Sequence, residues 1–372
     1  MSIGLAMLLT GAQNDTENEL KSFLEMNNQT SENIICFMAS KLNADFSHHF
    51  QKNSTNIIHF SDKINFYKKF IDSLFKIFNS TAKQTDLSDP SRARNRLDDS
   101  LWNETELRLR RVSPVELTSN ESLILMNAFY LRANWKKPFK SYDTKQRLFH
   151  LSDNNSKKVF MMEMTHTFYT QYNPFGLNVK ICQLEYSCGS NSMTIILPNK
   201  GIAIEEIEAQ LTYETFQFIL NRNNSIKRKL FFVLPKFKIV SDFDVSLDSS
   251  LSISKITFLK VFFIYFKLKK NLKELGLCLI FDSTRAEFNE ISPDFPFVSN
   301  IFHNTLIEID EKGTEAFEKD RLDEFTNENT DGIQTDDFIC DRPFIFIVHD
   351  IFSLEIIFIG KFIKPKRRID FL

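Results

Sequence analysis

Apolar positions recur at helical spacing over the first third of the chain and then give way to short, unbroken runs. Residues Ser2 to Leu24 begin in the middle of an apolar helical pattern, break at Gly11, and resume at Asp15-Thr16 with Glu19 and Leu20, a helix-start signature. The helical period returns in Ser31 to Leu42 and in Lys63 to Phe78. It appears again behind Asp89-Pro90-Ser91, where Leu97, Leu101 and Leu107 fall near one face. From Ser122 the texture changes. Leu123 to Met126, Met193 to Leu197 and Leu230 to Leu234 are short, apolar and bounded by turn residues, which predicts buried strands. Pro343 to Ile363 alternates apolar runs around Asp350 as a hairpin does. A helix-rich first third followed by a strand-rich remainder is an α+β pattern. With no linker to divide them, the 372 residues read as a single domain, 1–372.

Composition narrows the functional classes. At 42% hydrophobic and 25% charged, the chain can bury a sizeable core. A formal net charge of -2 lacks the basic footprint that phosphate-backbone binding needs, so nucleic acid is not expected as a partner. The six arginines between Arg92 and Arg111 alternate with Asp98, Asp99, Glu104 and Glu106 and read as a solvated face. Thirty-nine phenylalanines are spread along the chain, which points to core filling. Five cysteines, Cys36, Cys182, Cys188, Cys278 and Cys340, show neither zinc-like nor redox spacing and read as buried or idle thiols. The seven histidines are scattered and only His48 and His49 are adjacent, so no metal is expected.

The common phosphate, dinucleotide, zinc-protease and acyl-transfer motifs are missing, so no cofactor and no catalytic residue is assigned. Eight Asn-x-Ser/Thr sequons, at Asn14, Asn28, Asn53, Asn79, Asn103, Asn120, Asn154 and Asn223, compare with about four expected by chance. They favour a secreted, extracellular glycoprotein, with the cytoplasm as the alternative. Met1 to Leu9 does not read as a secretory leader.

Four groups of segments, in order and at suitable spacing, resemble the serpin family. The first is Leu123 to Trp135 (LILMNAFYLRANW), which resembles the central strand of the family's large sheet with a tryptophan at its upper end. The second pairs Met193 to Pro198 (MTIILP) with Leu234 to Ile239 (LPKFKI). The third runs from Val298 to His303 (VSNIFH) through Ile307 to Ala316 (IEIDEKGTEA), and the last joins Asp341 to Ile347 (DRPFIFI) with Ile356 to Phe362 (IIFIGKF). The resemblance implies a large central mixed sheet A, smaller sheets B and C, and an exposed reactive-centre loop near the C-terminus.

It also implies that Met1 falls inside the family's second helix, so that the first helix is lacking. Asn127 and His303 are expected in a polar cluster beneath the opening of the large sheet, with their serine partners lost. Trp135 is expected at that opening. Residues 246–268 depart from the family pattern as an atypical insertion, containing an apolar run, Ile256 to Phe266, too short to span a bilayer. No membrane partner is expected. The insert's A+T-rich flavour and the GT-initial codon of Val245 suggest translated intron, an idea that a mature transcript carrying these codons would end.

A serpin offers its loop to a serine protease as substrate, and the cleaved loop then inserts into the large sheet with the acylated enzyme attached. Strand side chains alternate between faces, so every second loop residue must be buried. Here Gly313-Thr314 begins the hinge, behind Glu311 and Lys312, and by family alignment Thr314, Ala316, Glu318, Asp320 and Leu322 turn inward. Glu318 and Asp320 stand where small uncharged residues are usual. Burying an unpaired carboxylate costs several kcal/mol even when it takes up a proton. If about 2.7 kcal/mol of this enters the insertion barrier, insertion slows roughly a hundredfold and hydrolysis of the acyl intermediate overtakes it.

From Glu315 to Asp337 there are nine acidic residues and two basic ones, which also suits a solvated loop. Counting forward from Gly313 places the scissile bond after Asn327 and counting back from Phe344 places it after Asn329, with Glu328 between them. Neither Lys319 nor Arg321 lies near that window, which disfavours a trypsin-like target. Phe325 or Leu322 suits a chymotrypsin-like one in a shifted register. The segment Ser31 to Asp45, where some relatives bind glycosaminoglycan, has Lys41 as its sole basic residue, so heparin is not expected. The function expected is that of a monomeric serine-protease inhibitor. The alternative is a non-inhibitory serpin that binds a ligand or partner, favoured by Glu318 and Asp320.

Overall fold

In a computed structural model, the structure describes residues 2–43, 50–112, 117–152, 155–240, 268–314 and 336–365. The expected insertion at 246–268 lies outside them except for its last residue. Apolar side chains on successive helical turns build the core of the first third. Helices α1 (Ser2–Leu9) and α2 (Asn14–Phe23) are separated at Gly11 as the pattern predicts, and a Cβ on Gly11 would meet Ile291 Cγ1 at 2.2 Å. They are followed by α3 (Ser31–Asn43), β1 (Phe50–Ser61), α4 (Lys68–Phe78) and β2 (Thr81–Thr85).

Helix α5 (Pro90–Glu104) starts where Asp89 accepts from the Ser91 and Arg92 amides at 2.9 and 3.1 Å, with Pro90 in its first turn. Its stripe of Ala93, Leu97 and Leu101 is buried, but Leu107 is not part of it. The Thr105 hydroxyl donates back to the Leu101 carbonyl, and Glu106 and Leu107 take left-handed conformations that end the helix and leave Leu107 exposed. Leu109 and Val112 fill the core in its place.

The strands form two sheets. The first comprises β2, β1, β3 (Leu123–Asn134), β11 (Gly313–Thr314), β10 (Val298–Ile309) and β9 (Phe237–Val240), in that order. Strand β3 is apolar at nearly every position because it lies at the centre with both faces covered. The second sheet runs β12 (Asp336–Ile339), β8 (Ile226–Pro235), β5 (Asn155–Tyr172), β6 (Val179–Glu185), β7 (Asn191–Pro198), β13 (Phe344–Asp350) and β14 (Ile356–Phe362), with β4 (Lys145–Ser152) on β5.

The two smaller sheets that the resemblance implies are thus continuous through the long strand β5. The hairpin expected around Asp350 is β13 and β14, closed by Asp350 accepting from the Phe352 and Ser353 amides. Helices α6 (Ile204–Gln210) and α7 (Tyr213–Leu220) cover the outer face of the second sheet, and α8 (Leu268–Glu274) leads towards β10.

The core between the sheets is aromatic, with Phe50, Phe149, Phe232, Phe338, Phe344 and Phe346 almost fully buried. All five cysteines are free: Cys182 and Cys340 are buried, which pushes their thiols up, while Cys36 and Cys278 are exposed. Among the described residues no helix is long and apolar enough to cross a membrane, and no group of three or more metal-ligating side chains gathers.

Candidate functional site

Strands β3 and β10 run parallel and adjacent from Leu123 and Val298 as far as Tyr130 and Leu306. Beyond that point they separate, and β11 lies between them. Gly313 and Thr314 pair antiparallel with Asn134 and Ala133 of β3, and Thr314 with Ile309 of β10. The start of the expected hinge is therefore already a strand of the large sheet. Only glycine fits at its first position, since a Cβ on Gly313 would come within 2.0 Å of the Ala133 carbonyl oxygen.

A tight turn delivers the hinge to this slot. The Asp310 carboxylate accepts from the Lys312 and Gly313 amides at 2.8 and 3.1 Å, and the Asp310 amide donates to the Gly313 carbonyl at 2.9 Å. Trp135 clamps the turn from β3: its indole donates to the Asp310 carbonyl at 3.0 Å and its amide to the Lys312 carbonyl at 2.8 Å. Glu311 fixes the other side. One of its oxygens pairs with Lys236 Nζ at 2.8 Å and the other accepts from Thr144 at 2.8 Å. Burial works to raise the Glu311 carboxyl, but the Lys236 ammonium, backbone donation and the Thr144 hydroxyl outweigh it and hold it below the usual carboxylate range.

Thr314 is fully buried, and its hydroxyl meets that of Tyr186 at 2.7 Å. The Tyr186 ring stacks on Trp135, with centroids 4.7 Å apart and planes 10° apart. Sequence reasoning missed Tyr186, which stands in a polar turn without any period to mark it.

The polar cluster lies lower, across three neighbouring strands. Asn127 on β3 is opposite Asn56 on β1 and His303 on β10. Its amide nitrogen donates to Asn56 Oδ1 at 2.6 Å, and its oxygen accepts from His303 Nδ1. Burial holds the His303 imidazole down at about 3, so it is neutral at pH 7. Asn56 is a member of this cluster that a single Asn within a mixed polar and apolar stretch did not reveal. The His303 to Asn127 bond crosses the seam between β3 and β10.

The far end of the loop is anchored on the second sheet. Strand β12 pairs parallel with β8, Phe338 is buried, and Asp336 lies 3.4 Å from Arg228. Ala316, Glu318, Asp320, Asn327, Glu328 and Asn329 lie outside the described residues. The structure thus brings together Glu311, Gly313, Thr314 and Trp135 at the opening, and Asn127 and His303 at the seam.

A family model described as Serpin (serine protease inhibitor) matches residues 1–262 and 249–365. Human Serpin B3 is 24% identical over 97% of this chain and 90% of its own length. Leukocyte elastase inhibitor A of Rattus norvegicus is 26% identical over 98% of this chain and 91% of its own length. The crystal structure of human thyroxine-binding globulin, at 21% identity, superposes with a TM-score of 0.80 over 98% of this chain and 90% of that one. With the family match covering nearly the whole chain, the chain belongs to the serpin family.

Proposed function

We propose that the protein inhibits serine proteases by inserting its cleaved loop between β3 and β10. The observation that carries this reading is β11: an antiparallel strand has already begun in the gap, with Thr314 seated between Ala133 and Ile309. The chain between Thr314 and Asp336 is longer than either twelve-residue neighbour, so it can supply a full strand. The elastase inhibitor among its relatives supports the same class of activity.

Register refines the problem of the acidic hinge. Continued in steps of two from Thr314, Ala316 falls opposite Leu131 and Ile307, Glu318 opposite Phe129 and Thr305, and Asp320 opposite Asn127 and His303. Asp320 thereby meets an amide and an imidazole that can bond it, whereas Glu318 meets an aromatic ring on one side. Glu318 is the greater obstacle. Replacing it with alanine should speed insertion by on the order of tenfold or more, and Asp320→Ala by less, because desolvation is the larger cost where no partner waits.

The test is incubation with a panel of chymotrypsin-like and elastase-like serine proteases. An adduct surviving denaturing electrophoresis is the expected result, and clean loop cleavage with active enzyme recovered would overturn it. That second outcome fits the other reading, a non-inhibitory serpin that binds a ligand, which Glu318 and Asp320 favour and which the structural likeness to thyroxine-binding globulin in complex with thyroxine supports. Exposed asparagines in the sequons at Asn28, Asn79 and Asn223 support an extracellular setting; a mobility shift of the native protein after endoglycosidase treatment is expected.

A further inference from the structure

The opening of the large sheet contains one side chain that grips the hinge from the second sheet. Tyr186 sits in the turn between β6 and β7 with no surface exposed. Its ring is pinned between Trp135, stacked at 4.7 Å, and the edge of Phe50 at 5.3 Å. Its backbone is tied to the end of β3: residues 135 and 186 form a bridge, the Lys136 amide donates to the Glu185 carbonyl at 2.9 Å, and the Ser187 amide donates to the Asn134 carbonyl at 2.8 Å. The Tyr186 amide donates to the Asn191 carbonyl at 3.0 Å. Held this way, the ring cannot follow the hinge if it swings out.

We propose that Tyr186 is a latch, a positioning residue whose hydroxyl holds Thr314 in the slot between β3 and β10. It thereby sets how far insertion has begun before a protease arrives. The inference rests on the insertion reading for its consequence, but the latch itself is a property of the uncleaved protein. When the hinge leaves, Thr314 is rehydrated while the Tyr186 hydroxyl stays at the bottom of an aromatic stack without its partner. That asymmetry favours the seated hinge. One buried hydrogen bond of this kind shifts such an equilibrium by about fivefold, and more where the remaining hydroxyl cannot reach water.

Amide hydrogen exchange of the intact protein, followed by mass spectrometry over residues 310–314, tests the latch without any protease. Tyr186→Phe keeps the stack on Trp135 and removes only the hydroxyl; exchange in the segment should rise about fivefold. Thr314→Val removes the other partner and should raise it equally. The two together should exceed neither alone, and Thr314→Ser, which keeps the hydroxyl, should stay near the unmodified protein. Exchange that is unchanged in both Tyr186→Phe and Thr314→Val overturns the latch, as does a double variant whose effect is the product of the singles.

A second measurement separates this from the insertion reading. After nicking of the loop, the gain of heat resistance should be slower in Tyr186→Phe than in the unmodified protein, because the seated starting point is less populated. If the unmodified protein gains no heat resistance at all while the exchange results hold, the latch stands and insertion fails.

Discussion

Gly313 sits so close to β3 that an ideal Cβ would lie 2.0 Å from the Ala133 carbonyl oxygen and 2.8 Å from Asn134 Cα. Both are backbone atoms of a central strand and cannot give way as a side-chain tip could. Gly313→Ala is therefore expected to expel the hinge while leaving the body of the fold intact. Measured by amide exchange, protection of residues 310–314 should fall while that of β3 near Leu125 does not. Glu311 makes a different kind of contribution, since Lys236 and Thr144 each satisfy one of its oxygens. Glu311→Ala leaves the Lys236 ammonium without its carboxylate, at a cost of roughly 1 to 2 kcal/mol, less at high salt because both groups keep some exposure. Urea unfolding at low and at high ionic strength checks both the size and the salt dependence.

At the scale of elements, the seam between β3 and β10 combines a regular parallel ladder with the chain of bonds from Asn56 through Asn127 to His303. Replacing Asn127 with leucine removes the middle of that chain and strands the buried Asn56 amide and the partly buried His303 ring, which costs about 1 to 3 kcal/mol. The expected outcome is a lower unfolding midpoint together with faster spontaneous loss of the uncleaved form on warming, and an unchanged midpoint would count against the seam's role.

Much of this architecture was legible in the sequence. Strand β3, the β13–β14 hairpin and the start of α5 at Asp89-Pro90 were marked by unbroken apolar runs and by cap chemistry, which act locally. Strand β1 was not, because its first half is the polar stretch QKNST, and it is a strand through eleven paired positions along β3 rather than by its own composition. Asn56 and Tyr186 escaped for the same reason: their partners are distant in sequence, and neither residue falls on a period. The hinge turn was visible only as Gly313-Thr314; that it is seated is decided by Trp135, Lys236 and Thr144, which reach the turn from other parts of the chain.

Over the whole molecule, both sheets hold neutral histidines, His59 and His349 buried and His303 partly buried. His59 on β1 and His349 on β13 are pressed down to about 4 and His303 on β10 to about 3, in each case chiefly because burial penalises the charged ring. An unfolded chain leaves histidine near 6.5. Below that pH the unfolded state takes up protons that the folded state refuses, so the stability these residues contribute is complete above about 6.5 and is lost as pH falls towards 4. For a shift of the size shown by His59 the loss amounts to about 3 kcal/mol per residue by pH 4, an order of magnitude large enough to consume much of a domain's net stability. His59 separates this effect from seam chemistry. Its Nδ1 lies 2.9 Å from the Thr85 hydroxyl and its Nε2 has no partner, so phenylalanine can replace it with little lost bonding. Unfolding free energies measured in urea at pH 7, 5.5 and 4.5 should decline steadily in the unmodified protein and by roughly a third less in His59→Phe. A flat profile down to pH 4.5 would show that these rings accept protons without loosening either sheet.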